Sequence, residues 1–262
     1  MRSSEPRFAV RPTVALRRSR LSEAEIELAR RERREPRITQ WDYLHLSGLR
    51  QGVLASFRLL DGARGPVLDL FCGTKPYLEL IRPGPVWGMD LDDHFGRADV
   101  LGTLPLPFRD GAFGIVFCSQ ALHLIDDPKG SVREMVRVLR PDGHVIVTIP
   151  HLFLAEGSFE RHWSRDDLAQ LFDGWHDVRI AGIDGPGAAL AFVVGRLAML
   201  AARRFRPVRA LFTPGVVAMN TICRALDIAT SPLHRRSPHS FVVVARRPSE
   251  APPDPAGERL DG

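Results

Sequence analysis

Cysteine is scarce in this chain of 262 residues, and Cys72, Cys118 and Cys223 form neither an even set nor a C-x-x-C pair. That spacing excludes a disulfide framework and a structural zinc site. The nine histidines show no H-E-x-x-H or similar ligand spacing, so no metal site is expected. No apolar run approaches the roughly 20 residues that a membrane-spanning helix needs. Arg2 and Arg7 near the start are not followed by an apolar signal core, so the expected location is the cytoplasm. Lysine is nearly absent as well: Lys75 and Lys129 are the only two, and arginine supplies the rest of the positive charge. A G-x-G-x-x-G phosphate-binding turn is also missing, which argues against a dinucleotide fold.

What is present suits a single α/β core with an attachment, since 44% of the residues are apolar. The net charge of +5 is unevenly spread. Residues 1–37 carry 11 basic and 6 acidic side chains, residues 38–188 carry 14 and 20, residues 189–247 carry 10 and 1, and residues 248–262 carry 1 and 4. A mildly acidic domain is therefore flanked by arginine-rich segments. Three units follow: a charged helical arm at 1–37, solvated and partly disordered; a domain at 38–247; and a disordered, Pro- and acid-rich tail at 248–262.

Within the arm, Ser22 followed by Glu25 is a capping-box pattern that opens a helix of about 12 residues. Leu46, Leu49, Val53, Leu54 and Phe57 recur at helical spacing, so a second helix should pack on a sheet. Strands are expected at Pro66–Phe71, Val86–Met89, Gly114–Cys118, Val145–Ile149, Val178–Ile180 and Phe241–Ala245. Helices are expected at Pro76–Ile81, Lys129–Leu139 and Ser164–Phe172. The interval from Asp90 to Asp99 leaves room only for a loop and a very short third strand. Such alternation predicts a doubly wound, mostly parallel seven-stranded sheet with helices on both faces. Ligands of such sheets bind beyond the carboxyl ends of the strands. Between strands six and seven, residues 184–240 hold two further helices, near Ala188–Phe205 and Val216–Leu226. A strand-six connection leaving on the ligand side would make this insertion a helical cap over a substrate pocket.

The most informative stretch is VLDLFCGTKPY, Val67 to Tyr77, which places a carboxylate inside a buried strand ahead of a small-residue turn. Burying Asp69 is costly unless it is bonded. The stretch resembles the first motif of class I S-adenosylmethionine-dependent methyltransferases. WGMDLDD (87–93), the segment 98–128 and VREMVRVLRPDGHVIVTIP (132–150) resemble the motifs that follow, in the same order, and the likeness is closest to the type-11-like branch. The resemblance implies a Rossmann-like sheet and S-adenosyl-L-methionine as cofactor. It places Asp69, Phe71, Cys72, Gly73 and Thr74 around the cofactor's amino-acid end, and Asp90 with Leu91 at the ribose. Asp99 and Val100 fall at the adenine, with Ser119 and Gln120 beyond strand four. Phe71 and Lys75 stand where the family pattern has glycine. His123, His151 and His162 are candidate bases, because imidazole titrates near neutrality.

The function expected is methyl transfer to a small-molecule or glycan-like acceptor, at oxygen, with no N-P-P-Y sequence after strand four to serve the exocyclic amines of DNA. Two alternatives are an RNA methyltransferase and a non-catalytic cofactor-binding interaction protein. The arginines near 203–209, after an apolar helix, also point to an anionic or lipid-linked acceptor and to a peripheral contact with an anionic inner membrane surface.

Overall fold

The computed structural model describes residues 21–81, 84–91, 95–150, 163–204, 206–230 and 238–248. The elements in chain order are α1 (Glu23–Arg34), α2 (Tyr43–Leu59), β1 (Val67–Leu70), β2 (Val86–Asp90), β3 (Val100–Leu101), β4 (Phe113–Ser119), α3 (Pro128–Val138), β5 (Leu139–Pro150), α4 (Arg165–Leu171), β6 (His176–Ile183), α5 (Pro186–Arg204), α6 (Arg206–Ala229) and β7 (Ser240–Arg246). One seven-stranded sheet has the order β3-β2-β1-β4-β5-β7-β6. Pairing is parallel from β3 through β5, and β7 runs antiparallel to both of its neighbours. β6 is thus parallel to β5 only across an intervening antiparallel strand. It spans His176–Ile183, longer than expected, and its C-terminal end does lie on the same edge as those of β1, β2 and β4.

Alternation along the strands builds two apolar layers. Leu68, Leu70, Val116, Cys118, Val145, Val147, Val243 and Ala245 face one side with α3 and α4. Val67, Ile115, Phe117, Ile146, Val242 and Val244 face the other side, where Leu49, Val53 and Phe57 of α2 cover them. Burial of each such large side chain contributes about 1.5–3 kcal/mol. The expected helix at 76–81 is a single 3-10 turn, Leu78–Leu80.

The arm departs from the solvated helix expected from its charges. The capping box at Ser22 and Glu25 forms, but Ile26 is buried. Ion pairs then tie the helix to the domain, Arg30 and Arg34 to Glu79 and Glu23 to Arg97. One isoleucine and a charge lattice do the work that an apolar stripe does elsewhere. The insertion is a helical hairpin: α6 returns along α5 and anchors through Asn220, whose Nδ2 donates to the carbonyls of Ile38 and Gln40, each at 2.8 Å. Asp227 caps the start of α5 by accepting from the amides of Gly187 at 2.7 Å and Ala188 at 3.0 Å. Among the described residues, the hairpin leans on α2 and the segment before it.

Candidate active site

The buried acid at the end of β1 and the turn that follows form the floor of a cleft of about 550 Å³. Because Leu68 and Leu70 point into one apolar layer, Asp69 must point to the opposite face, where it is 3% exposed. Burial pushes its carboxyl well above the usual carboxylate range, the Lys75 ammonium pulls it back, and the Asp90 and Asp99 carboxylates push it further up. The turn itself is left-handed at three successive non-adjacent points: Phe71 has φ 57°, Gly73 has φ 52° and Lys75 has φ 52°. The positions that carry side chains in place of glycine thus keep the glycine-like backbone, at a cost of about 1–2 kcal/mol each. Open space remains over Gly73, where an added Cβ would meet only the Phe95 ring at 3.8 Å.

β2 delivers Asp90 to the same cleft. Its carboxylate accepts from the Gly73 amide at 2.8 Å and the Leu91 amide at 2.9 Å, so it holds the turn in place and retains lone pairs for a ligand. β4 delivers Ser119 and Gln120. Thr148 of β5 fixes both: its hydroxyl lies 3.0 Å from the Ser119 hydroxyl, and its carbonyl accepts from the Gln120 amide at 2.8 Å. The Gln120 Nε2 and the Tyr77 hydroxyl are buried in residues that line the cleft and have no hydrogen-bond partner among the described residues. Buried polar atoms in that state mark where a polar ligand completes the structure.

Of the residues singled out in the sequence, Asp69, Phe71, Cys72, Gly73, Thr74, Asp90, Leu91, Ser119 and Gln120 line this one cleft. Asp99 and Val100 do not. Asp99 accepts from Lys75 Nζ at 2.5 Å and the Gly88 amide at 2.7 Å, and it lines a recess with Arg30 and Arg97 that adjoins the cleft at Thr74. The shortened loop between β2 and β3 brings Asp99 back alongside Gly88, and Val100 is committed to the core. The expected place of this pair at the adenine end thus lies beside the cleft rather than in its lining. His123 is buried in the 3-10 turn Leu122–Leu124 and lines no part of the cleft. Burial lowers its pKa to about 4, so it stays neutral and is a weak base. His151 and His162 lie outside the described residues.

Several cleft residues were missed. Tyr77 sits within the quoted motif, and its bulk after Pro76 was the available signal. Ala29 and Arg33 of α1 and Leu49 of α2 form the far wall. Nothing in a local pattern announces a wall contributed by a helix 40 residues upstream.

A methyltransferase-domain family model matches residues 68–147, the span from β1 to β5 that carries every strand of the cleft floor. Over those residues the chain is similar to the methyltransferase-domain family. Solved structures share the fold over most of the chain. The (4+2)-cyclase SpnF matches with a TM-score of 0.53 at 19% identity, over 79% of this chain and 83% of that one. A complex of the Haloferax volcanii Trm112 methyltransferase activator with a protein described as a methyltransferase matches with a TM-score of 0.51 at 17% identity, over 86% and 95%. One of these names is that of a cyclase, so the fold alone does not fix the reaction.

The residues present fit S-adenosylmethionine. Asp69, a buried carboxyl at the end of a strand, suits the ammonium of the cofactor's amino-acid end; Asp90, a strand-ending carboxylate, suits the ribose hydroxyls; and the Gln120 amide offers a donor. The cofactor supplies an electrophilic methyl group on a sulfonium. What the chain contributes is orientation: the turn after β1 held by Asp90, and Ser119 with Gln120 held by Thr148, against which the donor and acceptor can be aligned.

Proposed function

We propose that this chain is an S-adenosylmethionine-dependent methyltransferase that acts on a small, anionic or glycan-like acceptor, at a hydroxyl oxygen. The observation that carries this reading is the wall formed by α1. Ala29 and Arg33 line the cleft opposite Asp69, which narrows it to molecular dimensions and brings a guanidinium to its rim. A folded RNA would need an open approach and a basic platform, whereas a phosphorylated sugar needs one or two arginines. Oxygen is the proposed target because Ser119–Gln120–Ala121–Leu122 stands where an N-P-P-Y sequence would serve exocyclic amines.

The acceptor's setting is part of the same proposal. Leu190, Val194 and Leu197 make an exposed apolar line along α5, and the sequence carries Arg203, Arg204, Arg206 and Arg209 where α5 ends and α6 begins. An apolar strip beside a run of arginines suits the edge of an anionic membrane, and a lipid-linked acceptor would be met there. No described helix is long and apolar enough to cross a membrane.

The test is transfer of a labelled methyl group from S-adenosylmethionine to phosphorylated sugars and lipid-linked sugar phosphates, against bulk RNA under the same conditions. Label in an alkali-stable sugar ether supports the proposal. Label in RNA alone sinks it, and cofactor binding without transfer to any acceptor favours the interaction-protein alternative.

A further inference from the structure

A second cavity, of about 680 Å³, lies on the other flank of α2 and shares no described lining residue with the cofactor cleft. Its floor is the α2-facing side of β6 and β7, with Ala181, Val242 and Val244. Its walls are the flank of α2 from Tyr43 to Leu59 and the ends of the α5–α6 hairpin. The volume is that of a small-molecule site.

At the end of this cavity sits a carboxylate that the fold does not satisfy. Asp184 follows β6 in a left-handed conformation, φ 68°, and its side chain is only 6% exposed. Its Oδ2 is buried and accepts no hydrogen bond from the described residues. The nearest cationic candidate, His45 Nδ1, stands 3.8 Å away, beyond hydrogen-bond reach. Burial, with His239 and Arg33 nearby, lowers the His45 pKa to about 3, so the imidazole is neutral and supplies no counter-charge. Room for the carboxylate comes from Gly48, where a Cβ would fall 1.3 Å from Asp184 Oδ1. A left-handed non-glycine residue, a buried acceptor without a donor and a helix hollowed to admit it all meet at one point. Strain and unsatisfied polarity of this kind are held for a ligand.

The other charges around the cavity are already matched or at its rim. Asp227 accepts from two α5 amides. Arg224 donates to the Tyr43 hydroxyl at 3.3 Å, and Arg179 is exposed. The unmet demand is therefore for a cation at the inner end of an apolar groove. We propose that this cavity binds an organic ammonium ion carried on an apolar body, with the ammonium on Asp184 and the body over Ala181, Val242, Val244 and Leu59. Since burial and Asp227 hold the Asp184 carboxyl well above its ordinary range, an already protonated amine entering the site drives off the carboxyl proton to solvent. The ligand site is independent of the methyl-transfer reading, because it lies outside the cleft.

The experiment uses the full chain with n-hexylammonium, n-hexanol and hexanoate as probes, followed by calorimetry in two buffers of different ionisation enthalpy. Binding of the amine with proton release is expected, and the alcohol and the acid should bind at least tenfold more weakly. Asp184→Asn should weaken the amine at least tenfold and abolish the proton release. Ala55→Trp, which fills the groove from α2, should exclude all three probes. S-adenosylmethionine binding by both variants verifies that they are folded. Equal affinity for amine and alcohol, preference for hexanoate at Arg179 and Arg224, amine binding undiminished by Asp184→Asn, or no binding of the amine would each overturn the proposal.

Discussion

Replacing Lys75 with methionine tests the electrostatic logic of the cofactor cleft directly. The ammonium lies 2.5 Å from Asp99 Oδ2, its own side chain is 9% exposed, and the Asp99 side chain is 40% exposed. Removing one member of a fully buried pair costs about 3–5 kcal/mol. Water at the exposed carboxylate screens part of that, so about 1–3 kcal/mol is expected here. Methionine keeps the aliphatic stem over Gly88, where the lysine Cε stands 2.0 Å from the position of a Cβ. It also keeps the same left-handed backbone, so neither packing nor strain should contribute. For a domain of this size each kcal/mol is worth roughly 2–4 °C, and a melting temperature lower by about 4–8 °C follows for a loss near 2 kcal/mol. Adding Asp99→Asn should recover part of it, because the carboxylate left behind is the chief source of the cost. A Lys75→Met variant that melts within 1 °C of the parent would refute the argument. The same substitution should move cofactor binding along the pH axis. Lys75 is the cation that draws the Asp69 carboxyl down against burial. Without it the carboxyl remains protonated to higher pH, so binding that needs ionised Asp69 should rise at higher pH than in the parent, as read by calorimetry from pH 5 to 9.

Asp90→Ala removes the acceptor for the Gly73 and Leu91 amides as well as the ribose carboxylate, and should weaken S-adenosylmethionine by about 2–4 kcal/mol in calorimetry, at roughly 1.5–3 kcal/mol per charge-assisted bond; unchanged affinity would remove Asp90 from the site. Deleting residues 1–37 strips Ile26, the ion pairs to Glu79 and Arg97 and the Arg33 wall, so both the melting temperature and cofactor affinity should fall. Retention of both would restore the reading of α1 as a solvated arm. His123→Leu should leave turnover at pH 7.5 intact while flattening the acid limb of stability. The folded-state pKa is depressed to about 4, so the unfolded chain takes up a proton first as pH falls through about 6.5. Stability is thus full above that value and declines toward pH 4 by up to about 3 kcal/mol. Urea midpoints at pH 7.5 and 4.5 that shift equally in both proteins would contradict it.

The strands of the cleft floor are legible because each is a short apolar run closed by a punctuating turn, buried on both faces with side chains alternating between them every second residue. The register of β4 against β5 carries that period straight into the two apolar layers. Legibility failed where the determining partner was distant or the local interval was altered. The position of Asp99 beside the cleft has no local signal, because a short loop folds its carboxylate back to Gly88. The docking of α1 was missed because one buried isoleucine among twelve residues gives no stripe, and the pairs that hold it link residues more than 40 positions apart.

Asp69 and Asp184 show the same limit from opposite sides. Both are buried carboxylates at or just after the C-terminal ends of strands, with pKa values raised by desolvation. Asp69 interrupts an apolar alternation and is followed by a recognisable turn, so its oddity is visible in eleven residues. Asp184 follows a strand that is mostly exposed, in an Ile-Asp-Gly sequence that reads as an ordinary turn. Its burial arises only because Gly48, 136 positions earlier, lets α2 close over it. A cost of burial that is set by a neighbour's missing side chain has no local signature. It becomes visible only when the two segments are placed together, and it is there that an unassigned site can be found.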